Sequence, residues 1–355
     1  MKFAAIHQIA AGFAKGDAIS LEAVAIRDLC RDLGVASEIY VPAERIAPDC
    51  RTAARALEDY RPGAGELLIF HYSIQSPATE AFRRSPARKV VVYHNVTPGD
   101  LFRAFDEPLA ARLEAARGEL AEVARAADAV WADSAFNAAE VAALGLGGVR
   151  VFPLLFSAAA FDVAPDPVVR QGLSGPSKKI LFVGRMAPNK CVEELIEAFA
   201  WYHKRLERRS ELILVGSERA CPRYFAMLRM FAAELDLMAV SFVRYASPAG
   251  LVAYYEAADL FATASRHEGF CLPVVEAMSK GVPVLARNVG GVPEAMDGAG
   301  VLFDGASPAE LACLMHRLIS DSALRGEVLA SQQARIRRLQ ARPVRQEFEA
   351  LLAAL

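Results

Sequence analysis

Short apolar runs alternate with amphipathic stretches along nearly the whole chain. Residues 3–6, 36–41, 67–70, 90–94, 129–132 and 149–153 read as buried strands, and residues 19–33, 51–60, 108–126 and 135–144 carry helical patterning between them. Runs that are apolar throughout signal strands covered on both faces, as in a parallel sheet. From Ser157 to Lys179 the alternation fails, and Pro165, Pro167, Gly172, Gly175 and Pro176 punctuate the chain. That composition predicts a linker. A second series follows, with strands expected at 179–183, 211–215, 240–243, 260–263, 283–286 and 300–303, and helix at 192–199. The pattern therefore predicts an α/β chain of two Rossmann-like domains. Residues 1–160 form the first, 161–178 the linker and 179–330 the second, with a helical segment over 331–355.

Length supports this division, because 355 residues exceed a typical single core. Hydrophobic residues make up 54% and charged residues 23%, which suits a globular protein, and no apolar run is long enough to span a bilayer. A net charge of −2 gives no general reason to expect nucleic acid as a partner. The opening run ends early at His7 and Gln8, and a loop follows at Lys15-Gly16-Asp17, so a first strand is expected rather than a signal peptide. Cys30, Cys50, Cys191, Cys221, Cys271 and Cys313 are scattered without a C-x-x-C pair. They read as reduced thiols of a cytoplasmic protein, not as a zinc site or disulfide framework.

The chemistry concentrates in the second half. In Arg266-His267-Glu268-Gly269-Phe270-Cys271-Leu272-Pro273-Val274-Val275-Glu276 two carboxylates flank a glycine turn and a helix-starting proline. The run lies where a strand hands over to a helix, the place where open α/β sheets bind ligands. Backbone N–H groups there suit an anion such as a diphosphate. Earlier, a strand ends at Val183, Gly184 turns the chain, and Arg185 and Lys190 flank the loop ahead of the next helix. Cations there would hold a pyrophosphate, and carboxylates would accept hydrogen bonds from sugar and ribose hydroxyls.

These segments resemble the family 4 retaining glycosyltransferases of GT-B architecture, whose hallmark is a pair of glutamates separated by seven residues, as are Glu268 and Glu276. Phe182-Val183-Gly184-Arg185, Lys190, Leu214-Val215-Gly216, Gly281-Val282-Pro283-Val284 and Gly290-Gly291-Val292-Pro293-Glu294 are similar to other segments of that family, in the same order. The resemblance implies two Rossmann-like domains facing across a cleft, with C-terminal helices packing back on the first. It implies a nucleotide-diphosphate sugar donor, of GDP-mannose or UDP-glucose type, and hexose transfer with retention. The acceptor would be a saccharide or lipid-linked saccharide of bacterial surface polysaccharide synthesis. Arg185 and Lys190 would contact the diphosphate, Glu268 the donor sugar and Glu276 the ribose. The backbone at Gly269, Phe270, Cys271 and Leu272 would approach sugar and phosphate, and Gly16, where the family has a glycine pair, would approach the donor phosphates. His94, at the end of a first-domain strand, would lie beside the reacting sugar; His7 and His71 read as structural. No D-x-D motif occurs, so no metal or other cofactor is expected.

Two other classes use the same residue types: a GT-B-like sugar-nucleotide epimerase or hydrolase, and a non-catalytic nucleotide-sugar-binding protein. Arg83, Arg84, Arg88 and Lys89, with apolar Leu101, Phe102 and Phe105, suit either a solvated surface or peripheral contact with the cytoplasmic face of the inner membrane. The arginines at 335, 337, 338, 342 and 345 read the same two ways.

Overall fold

The computed structural model describes residues 2–156 and 161–355. It divides into two compact units. One comprises residues 1–100, 108–155 and 343–355; the other comprises 101–107 and 156–342.

In the first unit seven strands form one sheet: β1 (Ile6–Ala10), β2 (Ile39–Val41), β3 (Arg55–Ala56), β4 (Leu67–Tyr72), β5 (Arg88–Tyr93), β6 (Ala129–Ala132) and β7 (Arg150–Val151). Their order is β3-β2-β1-β4-β5-β6-β7, with every pairing parallel. Helices α1 (Ala18–Asp32), α2 (Pro77–Arg84), α3 (Glu107–Arg125) and α4 (Ala135–Ala142) supply crossovers. Parallel neighbours need such crossovers, which cover both faces and explain why β4 is buried at all six positions.

The second unit begins with α5 (Pro167–Gly172) and carries β8 (Lys178–Val183), β9 (Ser210–Val215), β10 (Val240–Val243), β11 (Leu260–Thr263), β12 (Val284–Arg287) and β13 (Val301–Phe303). These run in the order β10-β9-β8-β11-β12-β13, again all parallel. Its other helices are α6 (Val192–Trp201), α7 (Pro222–Glu234), α8 (Pro248–Ala257), α9 (Leu272–Ser279), α10 (Val292–Met296), α11 (Pro308–Ser320) and α12 (Ser322–Gln340). The strand order reverses between β1 and β4 in one unit and between β8 and β11 in the other. Such reversals open a crevice at the carboxyl ends of the strands.

The last helix, α13 (Val344–Ala353), belongs to the first unit. Phe348 is fully buried there against Trp131 and Phe152. The chain passes from one unit to the other at Pro343, not at 331, because α12 runs unbroken to Gln340.

Other expectations are corrected. The helix at 51–60 is absent: residues 55–56 instead pair with β2, so sheet-edge pairing overrides helical propensity. The first strand is Ile6–Ala10, so His7 and Gln8 lie inside it. The linker carries α5, which starts on Asp166 and Pro167 and is anchored by Asp166 N–H to Ala249 O at 2.9 Å. The linker residues 157–160 lie outside the described residues.

The two aromatic side chains of the 101–105 segment are engaged within the protein. Phe102 is buried, and Phe105 packs edge-on against Tyr224 in the core of the second unit, ring centres 5.2 Å apart. Arg83, Arg84 and Arg88 pair with Glu122, Glu80 and Asp128. Arg335 and Arg338 both reach Asp297 just beyond α10. Among the described residues no helix is long and apolar enough to cross a membrane.

Phe348→Ala should cost roughly 3–5 kcal/mol by emptying a filled aromatic site. Chemical denaturation followed by Trp131 fluorescence should show a lower midpoint; an unchanged midpoint would contradict the docking of α13.

Candidate functional site

The site is built on the carboxyl ends of β8, β11 and β12. Residues 264–271 lead from β11 into α9, and neighbouring loops hold that lead in place. Arg266 N–H donates to Asn189 O at 2.9 Å, and Asn189 Nδ2 donates to His267 O at 3.2 Å, stitching the loops after β8 and β11. Gly291 N–H donates to Glu268 O at 3.0 Å. A Cβ on Gly290 would sit 2.2 Å from Glu268 O, and one on Gly291 would sit 1.9 Å from Gly269 O. These two glycines are therefore required by close backbone approach beneath the loop.

Glu268 is buried, and its carboxylate accepts three hydrogen bonds from Lys190 and Ser265. Lys190 Nζ donates to Oε1 at 2.7 Å and to Oε2 at 2.8 Å, while Ser265 Oγ donates to Oε1 at 2.7 Å. Burial alone would raise the Glu268 pKa. The Lys190 charge and the Lys190 and Ser265 hydrogen bonds outweigh it and hold the group below its ordinary value, so Glu268 is a carboxylate.

Glu276, one turn inside α9, is equally buried, and among the described residues no cation pairs with it. Tyr255 Oη donates to its Oε2 at 2.7 Å. Burial dominates, opposed by that hydrogen bond, and raises its pKa to about 7.

Between the two acids the helix start is electrostatically open. Cys271, the residue before α9, has φ 73°, provides no side-chain cap, and no acid lies in the first turn. Among the described residues the N–H groups of Gly269, Phe270, Cys271 and Leu272 have no hydrogen-bond partner, and Pro273 has no N–H. Unmatched donors at the positive end of a helix favour an anion. The start of α6 differs. Val192 N–H is satisfied by Tyr224 Oη at 2.8 Å, and Glu193 and Glu194 place negative charge in its first turn. Lys190 just before it is engaged with Glu268.

Arg185 is exposed and has no ion pair or hydrogen bond among the described residues. Its turn is fixed by Gly184 N–H to Val215 O at 2.9 Å and Met186 N–H to Ser217 O at 3.0 Å. A Cβ on Gly216 would lie 1.8 Å from Gly184 O, so the loops after β8 and β9 are also in contact.

The other two expected residues belong to the first unit. Gly16, at φ 78°, forms the turn before the Asp17 cap of α1, and a Cβ there would meet nothing within 4 Å. His94 does not present a free ring nitrogen. Its side chain is 2% exposed. Gln8 Nε2 donates to Ala23 O at 2.9 Å, which leaves Gln8 Oε1 to accept from His71 Nε2 at 2.8 Å. His71 Nδ1 must then accept from His94 Nε2, also at 2.8 Å. On its other edge His94 Nδ1 faces Asp133 Oδ2 at 3.3 Å and Glu22 Oε2 at 3.4 Å. Burial would lower the His94 pKa, but Glu22 and Asp133 raise it; burial and then the His94 charge hold His71 well below its ordinary value. The pair therefore comprises a charged His94 and a neutral His71. Glu22, His71 and His94 also lie close enough together to be considered as a metal-ligand set. Glu22 and His71 approach opposite edges of the His94 ring, which suits a hydrogen-bonded relay better than one cation.

Sequence reasoning missed Ser265, Tyr255 and the Gln8–His71 relay. Ser265 stands three residues before Glu268, a spacing at which local hydroxyl contacts are common. Nothing near Tyr255 in the sequence points to Glu276.

Residues 169–335 match the family model described as Glycosyl transferases group 1. D-inositol 3-phosphate glycosyltransferase of Corynebacterium jeikeium is 34% identical over 172 residues, which is 46% of this chain and 41% of that protein. The same-named protein of Thermobispora bispora is 36% identical over 175 residues, 45% and 40% of the two chains. The matched region thus spans about two-fifths of these curated relatives. Over the whole chain, sucrose-phosphate synthase from Thermosynechococcus elongatus superposes with a TM-score of 0.74 at 19% identity, covering 99% of this chain and 100% of that one. Anabaena HepE in complex with UDP-glucose gives 0.69 at 20% identity, covering 99% of each. These likenesses show the GT-B fold.

The raised pKa of Glu276 fixes a sign. A carboxyl that gains affinity for its proton on folding contributes stability that is fully present below its ordinary value of 4.5 and is lost as pH rises through about 7. Glu276→Gln should therefore leave stability unchanged at low pH and raise it by up to about 3 kcal/mol above pH 7. Denaturant midpoints across this range check it; parallel pH profiles for the two proteins would refute it.

Proposed function

We propose, on the match of residues 169–335 to the glycosyl transferases group 1 model, that the chain transfers a hexose, with retention and without a metal, from a nucleotide-diphosphate sugar to a saccharide acceptor, free or lipid-linked. The observation that carries this reading is the run of four unpartnered N–H groups at residues 269–272, set beside the buried Lys190–Glu268 pair. The diphosphate would take those amides together with Arg185 and Lys190. Glu268 would accept hydroxyls of the sugar, and Glu276 those of the ribose. A donor of UDP-glucose or GDP-mannose type supplies these parts, and the structural likeness to HepE holding UDP-glucose supports the first.

In the transfer the bond between the anomeric carbon and the phosphate oxygen breaks while a bond to the acceptor oxygen forms on the same face. The acceptor's proton passes to the departing phosphate oxygen. Arg185, Lys190 and the four amides stabilise the charge that collects there, each well-aimed donor contributing roughly 3 kcal/mol. No step is assigned to His94, whose ring nitrogens are both engaged.

Glu268→Ala and Lys190→Ala should each cut nucleoside diphosphate release by at least about a hundredfold. Arg185→Ala should weaken diphosphate binding with little change in stability, because its side chain has no partner to lose. A coupled assay with UDP-glucose and GDP-mannose over a saccharide panel reads all three. Wild-type turnover in Glu268→Ala would overturn the assignment. Release of diphosphate without any acceptor would point instead to a hydrolase.

A further inference from the structure

We infer that Ser265 is a positioning residue that fixes which oxygen of Glu268 is offered to substrate, and that Thr263 sets the direction of the Ser265 hydroxyl. The inference rests on Glu268 being the acceptor of sugar hydroxyls.

The argument is one of counting protons and lone pairs. Ser265 Oγ has a single proton and lies 2.7 Å from Glu268 Oε1. An ionised carboxylate can only accept, so the proton points there. Ser265 Oγ also lies 3.0 Å from Thr263 Oγ1. With its proton committed, Ser265 accepts at that contact and Thr263 donates. Both hydroxyls are buried, so no solvent competes for either position. Thr263 is the last residue of β11, and the relay therefore starts on the sheet rather than on a loop.

Lys190 Nζ adds one bond to each carboxylate oxygen, at 2.7 and 2.8 Å. Oε1 then has two donors, Lys190 and Ser265, and is saturated. Of these three bonds Oε2 takes only the one from Lys190, and it keeps an acceptor position. The Cys271 thiol also turns toward the carboxylate. A thiol is a weak donor, and a sugar hydroxyl replaces it at little cost. Without Ser265 both oxygens would be alike, and the carboxylate could swing about its lysine. The chain thus builds an asymmetric acceptor, with one oxygen saturated and tied to the sheet and one that keeps an acceptor position.

The readout is a ratio of affinities. Calorimetric Kd values are measured for UDP against UDP-glucose and for GDP against GDP-mannose, using the full chain. In Ser265→Ala the affinity for the diphosphate should stay within about twofold of wild type, while preference for the sugar nucleotide falls roughly tenfold, the worth of a hydrogen bond to a charged group. Thr263→Val keeps shape and should lower the preference less, by about threefold. The double variant should be no worse than Ser265→Ala alone, since Thr263 acts through Ser265. A merely structural role would weaken both ligands together and leave the ratio unmoved. If Ser265→Ala loses its fold, seen as loss of diphosphate binding, Thr263→Val decides the question by the same ratio. Retention of the wild-type ratio in the folded variants overturns the inference while leaving the donor site intact. If instead Glu268→Ala also keeps the wild-type ratio, the reading of Glu268 itself fails and the inference falls with it.

Discussion

The buried pair of Lys190 and Glu268 is the constraint around which the second unit's site is organised. Removing two ions from water costs several kcal/mol for each, and close geometry with further hydrogen bonds must offset it. Here the offset comes from two lysine contacts and the Ser265 hydroxyl. Glu276 is the internal control. It lies on the same segment at the same 7% exposure, yet among the described residues its carboxylate is bonded by a phenol alone, and its pKa climbs to about 7. One acid stays charged because a cation is held against it; the other moves toward neutrality because none is. The stitching of Asn189 to His267 and Arg266 follows from this need, since Lys190 and Glu268 come from loops of different strands.

The two helices that follow these loops show how little local geometry determines electrostatics. Both α6 and α9 begin after a cysteine in the left-handed region, at φ 47° and 73°, and neither cysteine caps its helix. A non-glycine residue in that conformation carries strain of about 1–2 kcal/mol. In α6 the open end is closed by Tyr224 and negatively charged by Glu193 and Glu194. In α9 a leucine, a proline and two valines follow, and no described residue closes it. The second start is the one that favours an anion. Glu194 serves a different purpose, gathering Arg266 and Arg287 beside the loop that carries Glu268.

Periodicity and turn residues made both sheets and the unit order legible, because parallel strands are apolar on both faces. Propensity misled at 51–60, where a two-residue edge strand needs only a neighbour to pair with. The acids, cations and glycines of the site were legible because their chemistry shows in residue type. Ser265 and Tyr255 were not, since their meaning comes from which atoms lie 2.7 Å away after folding. The open start of α9 and the closed start of α6 were likewise indistinguishable, because Tyr224 reaches Val192 from 32 residues away.

His94 shows how much packing surrounds a residue whose type and strand position alone suggested a role. It does stand at the carboxyl end of β5, as expected. Three other buried polar groups converge on it from β4, α1 and the end of β6: His71, Glu22 and Asp133. Asp133 is itself held by Asn137, and Asn137 accepts from Asn95 at 2.8 Å. The imidazolium is thus the centre of a network that ties together four segments of the first unit. A sugar hydroxyl could reach Nε2 only by displacing His71, which would strand a buried, neutral ring against Gln8. A hydrogen bond from the imidazolium to a sugar would return about 1.5–3 kcal/mol and an unpaired buried polar group costs about 1–3 kcal/mol, so the exchange is close to even. Through these contacts the His94 ring holds the exit of β5 in place.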